Sequence, residues 1–183
     1  MRTRPHREIW LTRPPRATVP RKLRPWLTDP GSLTARVRRR CAAFSLVVLE
    51  QHLAVPHADE AALLGLRQGE LAWLREVLLV ADGVPVVFAR SILPRRNVRG
   101  AWNLFHGLGA RPLGAALFAD PAIRRGALAC ARLDRRDARY HRALAVSPRL
   151  PRAVWARRSL FRLRGRALLV SELFLLPILE LPT

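Results

Sequence analysis

The stretch from Leu71 to Leu93 constrains the fold more than any other part of the chain. Two runs rich in Val, Leu and Phe meet there at Asp82-Gly83. An Asp-Gly pair between such runs signals a two-residue hairpin, because a type I′ turn needs positive φ at both central positions. The turn sets a register in which Ala81 faces Val84, Leu79 faces Val86, Val77 faces Phe88 and Arg75 faces Arg90. With a side-chain period of two, all eight share one face of a sheet. Two arginines opposite each other on an otherwise apolar face repel and destabilise the pair. An anion or carboxylate between or beside them removes the penalty, and a small acidic ligand is the natural candidate. Glu76 falls on the other face, where a surface or helix-facing salt bridge is its expected role.

The rest of the chain supplies further elements. Residues 1–20 read as an Arg/Pro-rich arm, with Pro5, Pro14, Pro15 and Pro20 blocking regular structure. Residues 21–183 read as one domain: half of the 183 residues are apolar, enough for a single core. A short helix is expected from about Pro20 through Trp26 and Leu27 to the break at Asp29-Pro30-Gly31. Ala43 to Ala54 reads as a strand, Glu60 to Leu66 and Ala101 to Gly109 as short helices. Asp120-Pro121 has the form of an N-cap followed by proline at the first helical position, which predicts a helix to about Leu133. Residues 134–153 are basic and loop-like. Ser159 to Pro177 reads as a second hairpin turning at Arg164-Gly165.

Glu172 lies in the middle of the apolar return strand of that second hairpin. A buried carboxylate there is either paired or pushed toward its neutral form, as a general acid or base requires. Pairing with Arg75 as a purely structural salt bridge is the plainer reading; the second arginine at position 90 leaves a positive surplus that favours an anion site.

Other chemistry is excluded or weak. Net charge is +20, yet Lys22 is the only lysine, and an arginine-for-lysine bias matches GC-rich coding as well as it matches a nucleic-acid partner. A nucleic-acid-binding reading rests on charge alone, and no nucleic-acid partner is expected. Cys41 and Cys130 form no CxxC, which argues against a zinc site or disulfide framework and for a reducing cytoplasm. No metal is expected: His6, His52, His57, His106 and His141 lack ligand spacing and read as surface or packing residues. Gly107, Gly109 and Gly114 do not fit a dinucleotide or P-loop fingerprint. No apolar run is long enough to span a membrane.

The segments around Arg75 and Glu172 resemble the chorismate lyase (chorismate pyruvate-lyase, 4-hydroxybenzoate synthetase) family. The resemblance is carried by Trp73-Leu74-Arg75-Glu76-Val77-Leu78-Leu79 running into Ala81-Asp82-Gly83, and by Leu108-Gly109 through Pro112-Leu113-Gly114 with Leu117-Phe118. Arg157-Arg158-Ser159 and Ser171-Glu172-Leu173-Phe174-Leu175 complete it. It implies an α+β fold: a single antiparallel β-sheet flanked by helices, enclosing a buried ligand pocket. It implies conversion of chorismate to 4-hydroxybenzoate and pyruvate at the entry to ubiquinone biosynthesis, with no cofactor, by a cytoplasmic monomer. By the same resemblance Arg75 binds the ring carboxylate and Glu172 meets the hydroxyl end as the acid/base. The backbone of Leu113 and Gly114 also contacts ligand, Leu33 stands where the family has a pocket methionine, and Arg90 matches a family arginine. The other reading consistent with such a fold is a non-catalytic sensor domain for a small aromatic acid.

Overall fold

The computed structural model describes residues 9–182, so the first eight residues of the arm, His6 among them, lie outside the described part. Seven strands form one antiparallel sheet: β1 (Phe44–Ala54), β2 (Ala72–Ala81), β3 (Val84–Pro94), β4 (Arg124–Arg125), β5 (Ala129–Asp134), β6 (Ala153–Leu163) and β7 (Arg166–Phe174). Their order is β1-β2-β3-β7-β6-β4, with β5 also pairing with β6. Two tight hairpins build the centre. Asp82 and Gly83 take φ of 49° and 80°, and Arg164 and Gly165 take 49° and 75°, as type I′ turns demand.

The first hairpin departs from the register expected of it. Ala81 pairs with Val84 and Val80 with Pro85, but Leu79 pairs with Val87, so Val86 is an extra residue on β3. Pro85 explains the slip. It has no N–H to give the ladder, and a strand proline is tolerated where the ladder is already interrupted. The carbonyl of Val86 instead accepts from the Leu175 N–H beyond the end of β7, at 3.0 Å. Beyond the bulge every β3 side chain lies on the face opposite to that expected. Arg75 therefore pairs with Ser91, and Arg90 pairs with Glu76. The expected facing of two arginines is overturned.

Helices cover both faces. On one lie α1 (Arg24–Thr28), α2 (Leu33–Arg38), α5 (Leu113–Ala119) and a 3-10 segment (Asn103–Leu108). Their buried side chains, including Trp26, Leu27, Leu33, Val37, Leu113 and Leu117, pack on Leu79, Val87, Leu93 and Phe161. On the other face α3 (Ala58–Leu64) and α6 (Ala138–Val146) pack on Leu74, Leu78, Phe88, Ile92 and Leu173. A four-residue turn, α4 (Arg95–Val98), follows β3 directly.

Two further expectations fail locally. Asp120 Oδ1 accepts from the Ala122 N–H at 2.8 Å, closing a turn rather than capping a helix. The chain then enters β4 and β5, because β6 offers an open edge and strand pairing outweighs the Ala-rich composition of 122–131. Residues 134–153 hold the helix α6, with Asp137 Oδ1 accepting from the Arg139 N–H at 2.7 Å at its start. The apolar face of α6, Tyr140 and Ala143, is interleaved with arginines, which masks its helical period in the sequence. The N-terminal segment also takes part in the fold: Leu11 bridges to Cys130 through reciprocal backbone bonds of 2.8 and 2.7 Å.

Candidate active site

Strand register brings the site residues to one face. Arg75, Ser91 and Val170 form one row across β2, β3 and β7; Val77, Ala89, Glu172 and Arg157 form the next, continued onto β6. Arg75 and Glu172 are thus two strands and one two-residue step apart, roughly 12 Å between backbones at spacings of about 4.8 and 6.7 Å. Both side chains project from the same face of the sheet. These residues line a partly enclosed pocket together with Leu33, Thr34, Leu46, Leu113, Gly114, Leu117, Phe118, Arg125 and Phe161. Its volume is about 50 Å³, room for a few waters. The cover is α2, α5 and the turn from Gly109 to Pro112.

Arg75 is buried, and its donors go to uncharged acceptors. Nη1 donates to Gln51 Oε1 at 2.7 Å, and Nη2 donates to the carbonyls of Gly109 at 2.8 Å and Arg111 at 3.3 Å. Those two carbonyls tie the cover to the sheet. No carboxylate among the described residues bonds Arg75, and burial lowers its pKa from the ordinary arginine value. Its charge is therefore available to a ligand. The Arg75–Glu172 salt bridge, the plainer sequence reading, does not form.

Glu172 pairs instead with Arg157, whose Nε donates to Glu172 Oε2 at 2.6 Å. Arg157 is fully buried. Its Nη1 donates to the carbonyls of Trp26 at 2.8 Å and Asp29 at 2.9 Å, while its Nη2 is buried without a hydrogen-bond partner. Arg125 lies beside it. Its Nε donates to Ser159 Oγ at 2.8 Å, and its Nη1 donates to the carbonyls of Pro30 at 2.7 Å and Gly31 at 3.2 Å. The Arg125 guanidinium lies 5.5 Å from the Phe118 ring centre and 5.4 Å from that of Phe161. Burial, and next the neighbouring Arg157, pull its pKa down to about 10.

Leu113 and Gly114 open α5, whose first N–H groups have no acceptor within the helix. A Cβ on Gly114 would lie 3.1 Å from Thr34 Oγ1, so glycine lets α5 and α2 close over the cavity. Five of the six residues expected at the site, Leu33, Arg75, Leu113, Gly114 and Glu172, line this one cavity.

Arg90 does not. The bulge turns it to the opposite face, where its Nε and Nη2 donate to Glu60 at 3.0 and 3.2 Å and its Nη1 to Glu76 at 2.6 Å. Glu76 also accepts from Arg142 Nε at 2.8 Å. Arg139 and Arg158 share Asp59, at 2.9 and 2.6 Å. Beneath α3 and α6 this makes a cross-linked scaffold of charges. It accounts for Glu76, as expected, through a helix-facing salt bridge.

Sequence reading missed Arg157 and Arg125. Arg157 was accessible: the Arg164-Gly165 turn runs without a bulge, so Leu163 faces Arg166 and Arg157 faces Glu172. Arg125 carried no such signal, because its strand falls where composition suggests a helix. Among the described residues no cluster of His, Cys, Asp and Glu could hold a metal ion, and no helix is long and apolar enough to cross a membrane.

A pocket lined by three arginines and one carboxylate, on one face of an antiparallel sheet, suits a small organic anion. The chain belongs to the chorismate lyase family, whose model it matches over residues 4–180. A protein of Aromatoleum aromaticum named probable chorismate pyruvate-lyase is 78% identical, the match covering 100% of both chains. One of the same name from Azoarcus sp. is 64% identical over 96% of this chain and 94% of its own. Two solved structures share the fold alone. The C-terminal domain of the histidine utilization repressor from Pseudomonas syringae has a TM-score of 0.54 at 11% identity, over 73% of this chain and 92% of that one. The effector domain of PhnF from Mycobacterium smegmatis has 0.52 at 17%, over 79% and 88%.

Proposed function

We infer that the cavity between Arg75 and Glu172 is where this chain converts chorismate to 4-hydroxybenzoate and pyruvate. The chain is a carbon–oxygen lyase of that family. The observation that carries the site assignment is the placement of a buried arginine without a carboxylate partner and a carboxylate in the lining of one pocket.

Arg75 receives the ring carboxylate, with the backbone at Leu113 and Gly114 as further donors. This fixes the ring so that its C4 hydroxyl end meets Glu172. The C3–O ether bond breaks with its electron pair going to the enolpyruvyl oxygen, and the C4 proton is lost. That proton ends on the enolpyruvyl methylene, giving pyruvate, and the ring becomes aromatic. Glu172 carries the proton, or it passes directly between the two fragments. Aromatisation drives the reaction, so the protein's task is orientation and charge complementarity. Arg157 supports both by holding the Glu172 carboxylate in place.

The small cavity volume means that α2, α5 and the 109–112 turn move outward to admit substrate, and again to release product. Entry to ubiquinone biosynthesis, a cytoplasmic setting and a monomeric state belong to the same reading, supported by the family resemblance.

Purified protein given chorismate should release equimolar 4-hydroxybenzoate and pyruvate, with a metal chelator making no difference. Tight binding of 4-hydroxybenzoate without turnover would establish the sensor reading instead.

A further inference from the structure

We propose that Arg125, together with the unpartnered Nη2 of Arg157, forms a second anion subsite that takes the enolpyruvyl carboxylate of the substrate. This rests on the assignment of chorismate to the cavity and names the residues that distinguish substrate from aromatic product.

Charge balance within the lining leads to it. Arg75, Arg125 and Arg157 line the pocket with a single carboxylate, Glu172, leaving a surplus of two positive charges in a partly enclosed space. The nearest other carboxylate, Asp29, is already committed. It bonds Arg36 at 2.6 Å and accepts from the Gly31 N–H at 2.7 Å. A buried uncompensated charge is costly, and two such charges call for a dianion. Chorismate is one, with a carboxylate on the ring and another on the enolpyruvyl arm. Arg75 is bound to the cover on one side of β3, which suits the ring carboxylate.

Arg125 and Arg157 lie on the other side, next to Glu172. Arg157 Nη2 is a buried donor with no acceptor. Arg125 is bonded only by Ser159 Oγ and the two carbonyls, with no carboxylate partner among the described residues. The enolpyruvyl ether is attached at C3, adjacent to the C4 carbon that faces Glu172. Its carboxylate therefore falls on the side of Glu172 where these two guanidiniums sit. Ser159 Oγ and the carbonyls of Pro30 and Gly31 anchor the Arg125 guanidinium beside the Phe118 and Phe161 rings, so binding demands little reordering.

Cleavage removes that second carboxylate with pyruvate. The 4-hydroxybenzoate left behind then keeps Arg75, the backbone at Leu113 and Gly114, and Glu172, without the second subsite.

The test compares substrate with product. In Arg125→Gln, KM for chorismate should rise roughly tenfold or more, the scale of a lost charge-assisted hydrogen bond. Calorimetric Kd for 4-hydroxybenzoate should stay within about threefold, and Arg125→Lys should recover part of the loss. Equal weakening of both ligands, or of neither, overturns the subsite while leaving the lyase intact. Absence of turnover in the unmodified protein overturns both. Should neither variant fold, the unmodified protein still decides. It should bind 3-carboxymethoxy-4-hydroxybenzoate roughly tenfold or more tighter than the ester of its side-arm carboxyl, and equal affinities overturn the proposal.

Discussion

Arg75 gives its hydrogen bonds to a side-chain amide and two carbonyls, so it is anchored without being neutralised. Arg75→Ala should weaken 4-hydroxybenzoate binding by about 1.5–3 kcal/mol, the range for hydrogen bonds to a charged partner; unchanged calorimetric affinity would remove Arg75 from the ligand site. Glu172 is anchored in a different way. Its Oε2 is occupied by Arg157, and no hydrogen bond to Oε1 is found among the described residues. Glu172→Gln keeps the shape and loses the base. It should cut kcat more than it weakens product binding, and the reverse pattern would reduce Glu172 to a packing residue. Both residues could be found in the sequence because each breaks an apolar alternation. A charge inside a β-rich run is a local signal, whereas Arg125, in a short strand held by its neighbour, leaves no local trace.

At the scale of elements, the two hairpins make an instructive pair. Both turns were legible, since positive φ at two central positions leaves few residue choices. The register of the second follows its turn throughout, whereas that of the first breaks at Val86. Pro85 was the available warning: a proline two residues into a strand marks a ladder that cannot continue unbroken. Only an unbroken ladder would place Arg90 on the face of Arg75. In its actual position Arg90 bonds two fully buried carboxylates, Glu60 and Glu76, and shares their charge with Arg139 and Arg142. Arg90→Ala should lower stability by about 3–5 kcal/mol, the cost of stranding buried charges, measured by chemical denaturation; a loss under 1 kcal/mol would contradict this placement. The α5–α2 contact is a subtler joint. Gly114→Ala pushes a methyl to 3.1 Å from Thr34 Oγ1 and should cost about 1–3 kcal/mol by overpacking. Product affinity should fall with it, because both helices form the cover.

The whole molecule carries its +20 charge unevenly. Much of it is exposed arginine, but on the face away from the pocket acids and arginines are interlocked. Burial alone would raise the pKa of Glu76, yet bonds from Arg142 and Arg90 hold it below the ordinary glutamate value. At Asp59, Arg139 and Arg158 outweigh burial in the same way. Carboxylates with lowered folded pKa values stabilise fully above their unfolded values and lose that contribution as pH falls through the folded ones. These two contributions should therefore be constant near neutrality and be lost below about pH 4. The half-buried His57, whose pKa burial lowers, adds a smaller loss that begins as pH falls below about 6.5. Melting at stepped pH checks both, and a drop already complete by pH 6 would point to other groups. The positive excess should also gather an anionic substrate. kcat/KM for chorismate should fall as salt rises from about 10 mM, where the Debye length is about 30 Å, to near 1 M, where it is about 3 Å. A salt-independent value would show that the excess plays no part in capture.

The extra residue in β3 has a consequence for how this sheet can vary. Substitutions along β3 change one side chain at a time, but loss of Val86 would exchange inside for outside along the whole strand beyond it. Arg90 would be driven into the cavity, and Ala89 and Ser91 pressed among the acids under α3 and α6. Strand length is thus a stricter constraint here than residue identity. Descendants of this chain can drift widely in composition, provided that no codon is lost or gained between Pro85 and Arg90.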